Sequence, residues 1–265
     1  MTEFALMQRW RLSPHDTPLA AGVVGGVLAG IGTPALAARY LAAMQGLLPV
    51  TFCTVFAVGA SGRIETVSAA SSYGQTAERT AQRYVAQRFD RVDPHLCWLA
   101  ARTHPARAQL WLGHHLGEEL LDADYRAACY TEVGIRERAS VLQLLPSGRR
   151  TAISFYRSLA QPVFNAADFA LLGAHATLLA DATAAHGRML VTASKPAASA
   201  ERLLQLSPRE REVVQQLGAG RTAQEAASAL GVSITTVRTL QYRAFRRLGL
   251  RSVKDLLREG LASSA

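Results

Sequence analysis

The last sixty residues limit what this chain can fold into more than any other stretch. From Leu206 it reads LSPREREVVQQLGAGRTAQEAASALGVSITTVRTLQYRAFRRLGLRSVKDLL. Ser207-Pro208-Arg209-Glu210 joins a hydroxyl N-cap, a proline suited to the first turn and a glutamate at the third helical position. That is a capping box, and it starts a helix. Val213, Val214 and Leu217 give the helix an apolar face, and Gly218 and Gly220 end it. A second box follows at Thr222 and Glu225; its helix buries Ala226, Ala227 and Leu230 and stops at Gly231. Gly231-Val232-Ser233 makes a short turn. Ser233 or Thr235 caps a third helix over about Ile234 to Leu248, and Ser252 caps a fourth from Val253 to Arg258.

The third helix separates into two faces. Val237, Ala244, Phe245 and Leu248 point inward, while Arg238, Thr239, Tyr242 and Arg246 share another face at helical spacing. A helix presenting such side chains fits the major groove of DNA. Arginine pairs with guanine edges, threonine and tyrosine bond bases or phosphates, and further arginines hold the backbone.

These residues resemble the LuxR-type helix-turn-helix domain, a unit of four helices. The matching residues are Leu206 to Glu212, Gly231-Val232-Ser233, Thr236-Val237-Arg238-Thr239 and Leu248-Gly249-Leu250-Arg251-Ser252. The resemblance implies that Arg238, Thr239 and Tyr242 face the groove, and that Thr222, Thr236, Arg246 and Arg247 touch phosphate. Ser233 and Thr235, at the start of the same helix, complete the candidate DNA-binding set. Leu240 stands where the family often has His, and Arg243 where it often has Asn; Arg243 is expected to add a phosphate contact.

Charge supports the same partner. The chain of 265 residues carries a net charge of +9, and from residue 200 onward it has eleven basic and six acidic side chains. A polyanion is the expected partner. A GC-rich genome explains the preference for Arg over Lys and the many alanines more simply than function does. A hydrophobic content of 49% suits a protein with a true core. The length allows one medium domain and one small one: a sensor domain over 1–190, a linker at 191–201 rich in Ala, Ser, Pro and Lys, and a helix-turn-helix domain over 202–265.

Residues 17–38 carry no charge and imitate a targeting segment, but five glycines and Pro34 interrupt the run. A soluble, cytoplasmic chain without a membrane anchor is expected, with a helix capped by Thr33-Pro34. Cys53, Cys97 and Cys129 are odd in number and widely spaced, which reads as reduced thiols. His114-His115 with Glu118-Glu119 has metal-like residue types, yet consecutive side chains of a strand point apart and no third ligand is indicated. Neither a phosphate loop nor a nucleophile elbow occurs. No metal, no cofactor and no enzymatic activity are expected.

Between residues 33 and 190, helical and strand patterns alternate. Strands are read at 51–58 and 63–69, at 109–112, and at 139–145 and 150–157. Helices are read at 33–48, 75–89 and 118–133, with a long one over 165–188. The fold class is α+β: an antiparallel sheet flanked by helices, of the GAF or PAS type, followed by an all-α unit. This part is similar to the ligand-binding domain of quorum-sensing regulators. Tyr84 lies nine residues before Asp93-Pro94, and Gly134-Ile135-Arg136 precedes a strand, as in that family. The similarity implies Tyr84 and Asp93 as pocket residues, although Asp93 before Pro94 also reads as a plain helix cap. Trp98, Trp111 and Tyr125 are further aromatic candidates for lining a pocket. Thr76 and Thr80 occupy positions that hold a lactone ring in the family, and Arg138 replaces a usual Gly. Both departures argue against an acyl-homoserine lactone.

Taken together, the sequence points to a sequence-specific DNA-binding regulator, acting as a homodimer on an inverted repeat of double-stranded DNA. A small-molecule effector or a protein signal is sensed by the N-terminal domain, and RNA polymerase is a partner if the protein activates. The alternative is a signalling or protein-interaction module that keeps the helical domain without specific DNA binding.

Overall fold

The computed structural model describes residues 8–13 and 17–258, with the backbone alone at 191–201 and 258. The chain divides into two compact units at Arg188/Met189.

The first unit is built on one antiparallel sheet of six strands: β1 (Gln8–Arg11), β2 (Phe52–Val58), β3 (Ile64–Ser71), β4 (Gln109–Leu116), β5 (Ile135–Leu144) and β6 (Arg150–Ser158). Their order is β1-β4-β5-β6-β2-β3. Strands β5 and β6 are central and almost wholly buried on both faces. Side chains alternate across the sheet. Cys53, Val55, Ala139, Val141, Ile153 and Phe155 serve one face, and they pack on α1 (Ala21–Leu28), α2 (Leu36–Gln45) and the first half of α6 (Ala166–Leu204). Phe52, Phe56, Leu142 and Tyr156 serve the other face. There they meet α3 (Thr76–Ala86), α4 (Pro94–Ala100) and α5 (Ala123–Arg126). The layering is helix, sheet, helix, as the alternation of elements leads one to expect.

Several boundaries differ from the sequence reading. Strand β1 was not foreseen, because four residues of mixed polarity carry no periodic signal and only pairing with β4 makes them a strand. Strand β5 begins four residues earlier than its apolar run, at Ile135, and so takes in Arg136, Glu137 and Arg138. The single helix expected over 118–133 is broken into a 3₁₀ turn at Gly117–Glu119, the short α5 and a π-helical turn at Ala127–Thr131. Ala35, not Thr33, stands at the N-cap of α2. The stretch 191–201, read as a linker, continues α6 in backbone through Leu204. Among the described residues no helix is long and apolar enough to cross a membrane.

The second unit contains α7 (Pro208–Gly218), α8 (Ala223–Leu230), α9 (Ile234–Leu248) and α10 (Val253–Arg258). Both capping boxes form: Ser207 with Glu210, and Thr222 with Glu225. Ser233, not Thr235, caps α9 and accepts from the Thr236 N–H. Gly231 and Gly249 end α8 and α9 at φ of 65° and 68°, where an L side chain would be strained. Val213, Val214, Ala226, Val237, Ala244 and Leu256 form a core with 0% exposure.

Candidate DNA-binding surface and buried polar site

On α9 the buried set Val237, Ala244, Phe245 and Leu248 leaves a continuous solvent face. Thr235, Thr236, Arg238, Thr239, Tyr242, Arg243 and Arg246 are all exposed on it, and Tyr242 is 68% exposed. The hydroxyl of Thr239 donates to the Thr235 carbonyl at 2.9 Å, and Ser233 and Thr236 share a hydroxyl–hydroxyl bond of 2.8 Å. Thr222 is exposed at the start of α8, bonded to Glu225. Arg243, Arg246 and Arg247 line a shallow concavity with Ser207, Glu210 and Leu240.

Arg247, expected as a phosphate contact, is exposed on α9, and its Nη1 donates to Glu210 Oε2 at 2.7 Å; the same oxygen accepts from the Ser207 N–H at 2.8 Å. The Ser207 N–H, with the Ser207 hydroxyl and Arg247 behind it, holds the Glu210 carboxyl below its ordinary value. Arg247 therefore ties α9 to α7 inside the unit.

In the first unit the polar groups converge on Asp93. Its Oδ1 accepts the N–H groups of His95 and Leu96 at 2.8 and 3.3 Å, capping α4. Its Oδ2 accepts from Tyr84 Oη (2.9 Å), Tyr125 Oη (3.1 Å) and Arg138 Nη1 (2.7 Å). The two sequence readings of Asp93, cap and pocket residue, thus both describe it. Burial works against its charge, but the Arg138 guanidinium outweighs that and keeps the carboxyl below its usual range.

Sheet register brings a second layer of groups beside this pair. His115 lies opposite Arg138 on β4 and β5, Gly113 opposite Ser140, and Ser140 opposite Ser154 on β6. Arg138 Nε donates to both serine hydroxyls at 3.0 Å. His95 Nδ1 bonds Ser140 Oγ at 2.7 Å, its Nε2 meets His115 Nδ1 at 3.1 Å, and His115 Nε2 meets Tyr130 Oη at 2.7 Å. Burial, then the Arg138 charge, lowers both histidines, His115 to about 3. They are neutral at pH 7. Gly113 leaves room for this packing: a Cβ there would stand 3.2 Å from the His95 ring and from Leu142, which would have to give by a few tenths of an ångström.

A cavity of about 40 Å³ adjoins these groups. Tyr84, Tyr125, Tyr130 and Tyr156 line it with Phe52 and Phe56, and Thr80 and Cys129 complete part of the wall. Of the five ligand candidates read from sequence, Tyr84 and Tyr125 line the cavity and Asp93 anchors both of them. Trp98 and Trp111 stand apart from it, packed edge to face at 5.2 Å, with Arg102 over the Trp98 ring. Arg138, His95, His115, Ser140 and Ser154 were not foreseen as one network. Of these, the sequence singled out Arg138, where the resembled family usually has Gly, and His115, as a metal-like residue type, but neither as part of a network.

His114 and His115 point to opposite faces of β4, as consecutive strand residues must. His114 Nε2 meets Glu137 Oε2 at 2.7 Å, on the side away from His115. Among the described residues no three His, Cys, Asp or Glu side chains group as a metal site would need. The cysteines form no disulfide.

No curated protein matches the chain. Solved structures that align with it include Escherichia coli SdiA, at 17% identity and a TM-score of 0.44, covering 89% of this chain and 93% of that one. SdiA in complex with octanoyl-rac-glycerol aligns at 17% identity and a TM-score of 0.46, covering 94% and 97%. The N-acylhomoserine lactone dependent LuxR family transcription factor CepR2 from Burkholderia cenocepacia aligns at 16% identity and a TM-score of 0.44, covering 62% and 90%. Residues 204–259 match the family of bacterial regulatory proteins, luxR family. With its two capping boxes, glycine-ended helices and exposed basic helix, the C-terminal unit of this chain is a luxR-family helix-turn-helix domain.

Proposed function

We propose that the protein is a cytoplasmic, sequence-specific transcriptional regulator that inserts α9 into the major groove. The observation that carries this reading is the solvent face of α9, where Arg238, Thr239 and Tyr242 lie exposed without burial to explain their presence. Arg238 reads a base edge, while Thr222, Thr236, Arg243 and Arg246 hold phosphates. As a homodimer the protein presents two such helices to an inverted repeat. RNA polymerase is its partner where it activates. The N-terminal unit supplies the control, through a small molecule held beside Tyr84, Tyr125 and Asp93.

The test is selection from random duplex DNA with the full-length protein at physiological salt. Enrichment of a two-fold symmetric motif, lost with Arg238→Ala, is the expected result. No enrichment under any salt condition, or a motif indifferent to Arg238, overturns the reading in favour of an interaction module.

A further inference from the structure

Tyr130 and Ile135 line the small cavity near Asp93, and they also line a second, open groove of about 500 Å³. Four segments meet around that groove. The 3₁₀ turn after β4 supplies Glu118, α5 supplies Arg126, the start of β5 supplies Arg136, and the segment after β6 supplies Leu159 and Val163. Backbone contacts bring them together. The Leu159 N–H donates to the Gly134 carbonyl at 2.9 Å, and Arg136 Nη2 donates to the Leu159 carbonyl. Arg126 Nη1 donates at 2.9 Å to the carbonyl of Leu120, just past Glu118. A Cβ at Gly117 would stand 3.0 Å from Tyr130 and 3.2 Å from the Arg136 carbonyl, so the turn that carries Glu118 lies directly against the start of β5.

The charges of this groove are unspent. Among the described residues neither Arg126 nor Arg136 forms an ion pair; each donates to one backbone carbonyl. Glu118 is exposed and makes neither an ion pair nor a hydrogen bond. Apolar area is also on offer, since Leu159 and Val163 are 61% and 52% exposed.

Two cations and one anion in one concavity limit what fits. A ligand bearing only a carboxylate would meet the arginines but face Glu118. A ligand bearing only an ammonium would meet Glu118 but face two like charges. A zwitterion matches both signs, and a guanidinium is shaped to hold a carboxylate through two N–H groups.

We propose that this groove binds a free α-amino acid with an aliphatic side chain. Arg126 and Arg136 hold its carboxylate, Glu118 accepts from its ammonium, and Leu159 and Val163 cover its side chain. The site is separate from the place beside Asp93 and does not depend on it.

L-leucine tests it against three compounds that each lack one part: 4-methylpentanoate without the ammonium, 3-methylbutylamine without the carboxylate, and glycine without the side chain. Binding to the full-length protein is measured by calorimetry with DNA absent. Each of the three is expected to bind about ten-fold more weakly than leucine, or worse. Glu118→Gln should bring leucine down toward 4-methylpentanoate without weakening 4-methylpentanoate itself, and Arg136→Gln should weaken both. The compound series and the exposed Glu118 carry the test should the Arg136 variant fold poorly. No binding of leucine, equal binding of 4-methylpentanoate, or leucine binding indifferent to Glu118→Gln overturns the proposal.

Discussion

Arg247 on α9 donates to the buried carboxylate of Glu210 on α7 across 2.7 Å, and that carboxylate also caps its own helix. The Arg247 side chain is half-exposed, so the pair itself adds only about 1 kcal/mol. Arg247→Ala should lower the stability of the C-terminal unit by about that amount and weaken all DNA sequences alike through folding. Arg246→Ala should leave the melting temperature unchanged. Thermal unfolding by circular dichroism, with Glu210→Gln closing a double-mutant cycle, checks this; additive effects would show that the contact carries no energy.

Base reading and phosphate holding separate on α9. Arg238→Ala should cost about 1–3 kcal/mol on the selected sequence and relax preference at one position. Arg246→Ala should weaken every sequence similarly and reduce the salt slope by about one. Fluorescence anisotropy at several salt concentrations, on cognate and scrambled duplexes, distinguishes the two.

In the sensor unit, Asp93→Asn retains a capping oxygen but strands the Arg138 cation. A loss of about 3–5 kcal/mol is expected, against about 1 kcal/mol for Tyr84→Phe, which removes one hydrogen bond. Trp10, Trp98 and Trp111 all belong to this unit. Urea unfolding followed by tryptophan fluorescence therefore reads its stability alone. Equal losses for both variants would refute the central place of the ion pair.

Acid should weaken the same unit well before carboxylates titrate. His115 has an ordinary value of 6.5 and is lowered to about 3 by burial, Arg138, and more weakly His114 and Arg9; Asp93 acts the other way. Below 6.5 the unfolded chain binds a proton that the folded chain refuses, so stability falls as pH drops from about 6.5 toward 3. Between pH 7 and pH 5 this one histidine should cost about 2 kcal/mol, and His95, shifted the same way, adds to it. Asp93, lowered, extends the loss at more acid pH, as its folded form is protonated. Urea midpoints at pH 7 and pH 5, compared with His115→Gln, give the measurement; a pH-independent midpoint would mean that the histidines take up protons as readily in the folded chain as in the unfolded one.

The helices of the C-terminal unit could be placed from sequence almost to the residue, caps and inward faces included. Their signals lie within three or four positions of one another: Ser207 with Glu210, Thr222 with Glu225, Val237 with Ala244 and Leu248. What Arg247 touches was not legible, because Glu210 lies 37 residues away and nothing local distinguishes an arginine that binds phosphate from one that binds a carboxylate.

For the N-terminal unit, the sequence by itself determined that an antiparallel sheet would be covered by helices, since alternation, turns and helical periods are local. Only the tertiary structure decided which polar groups meet. Arg138 comes to Asp93 across 45 residues, and His115 and Ser154 reach it through strand register. Trp111 was placed away from the cavity by the same register, and Trp98, on α4, packs against it there. A strand pattern tells which face a side chain takes, but the partner across that face is set by how distant strands align. At buried positions the cost of an unpaired charge makes that alignment decisive.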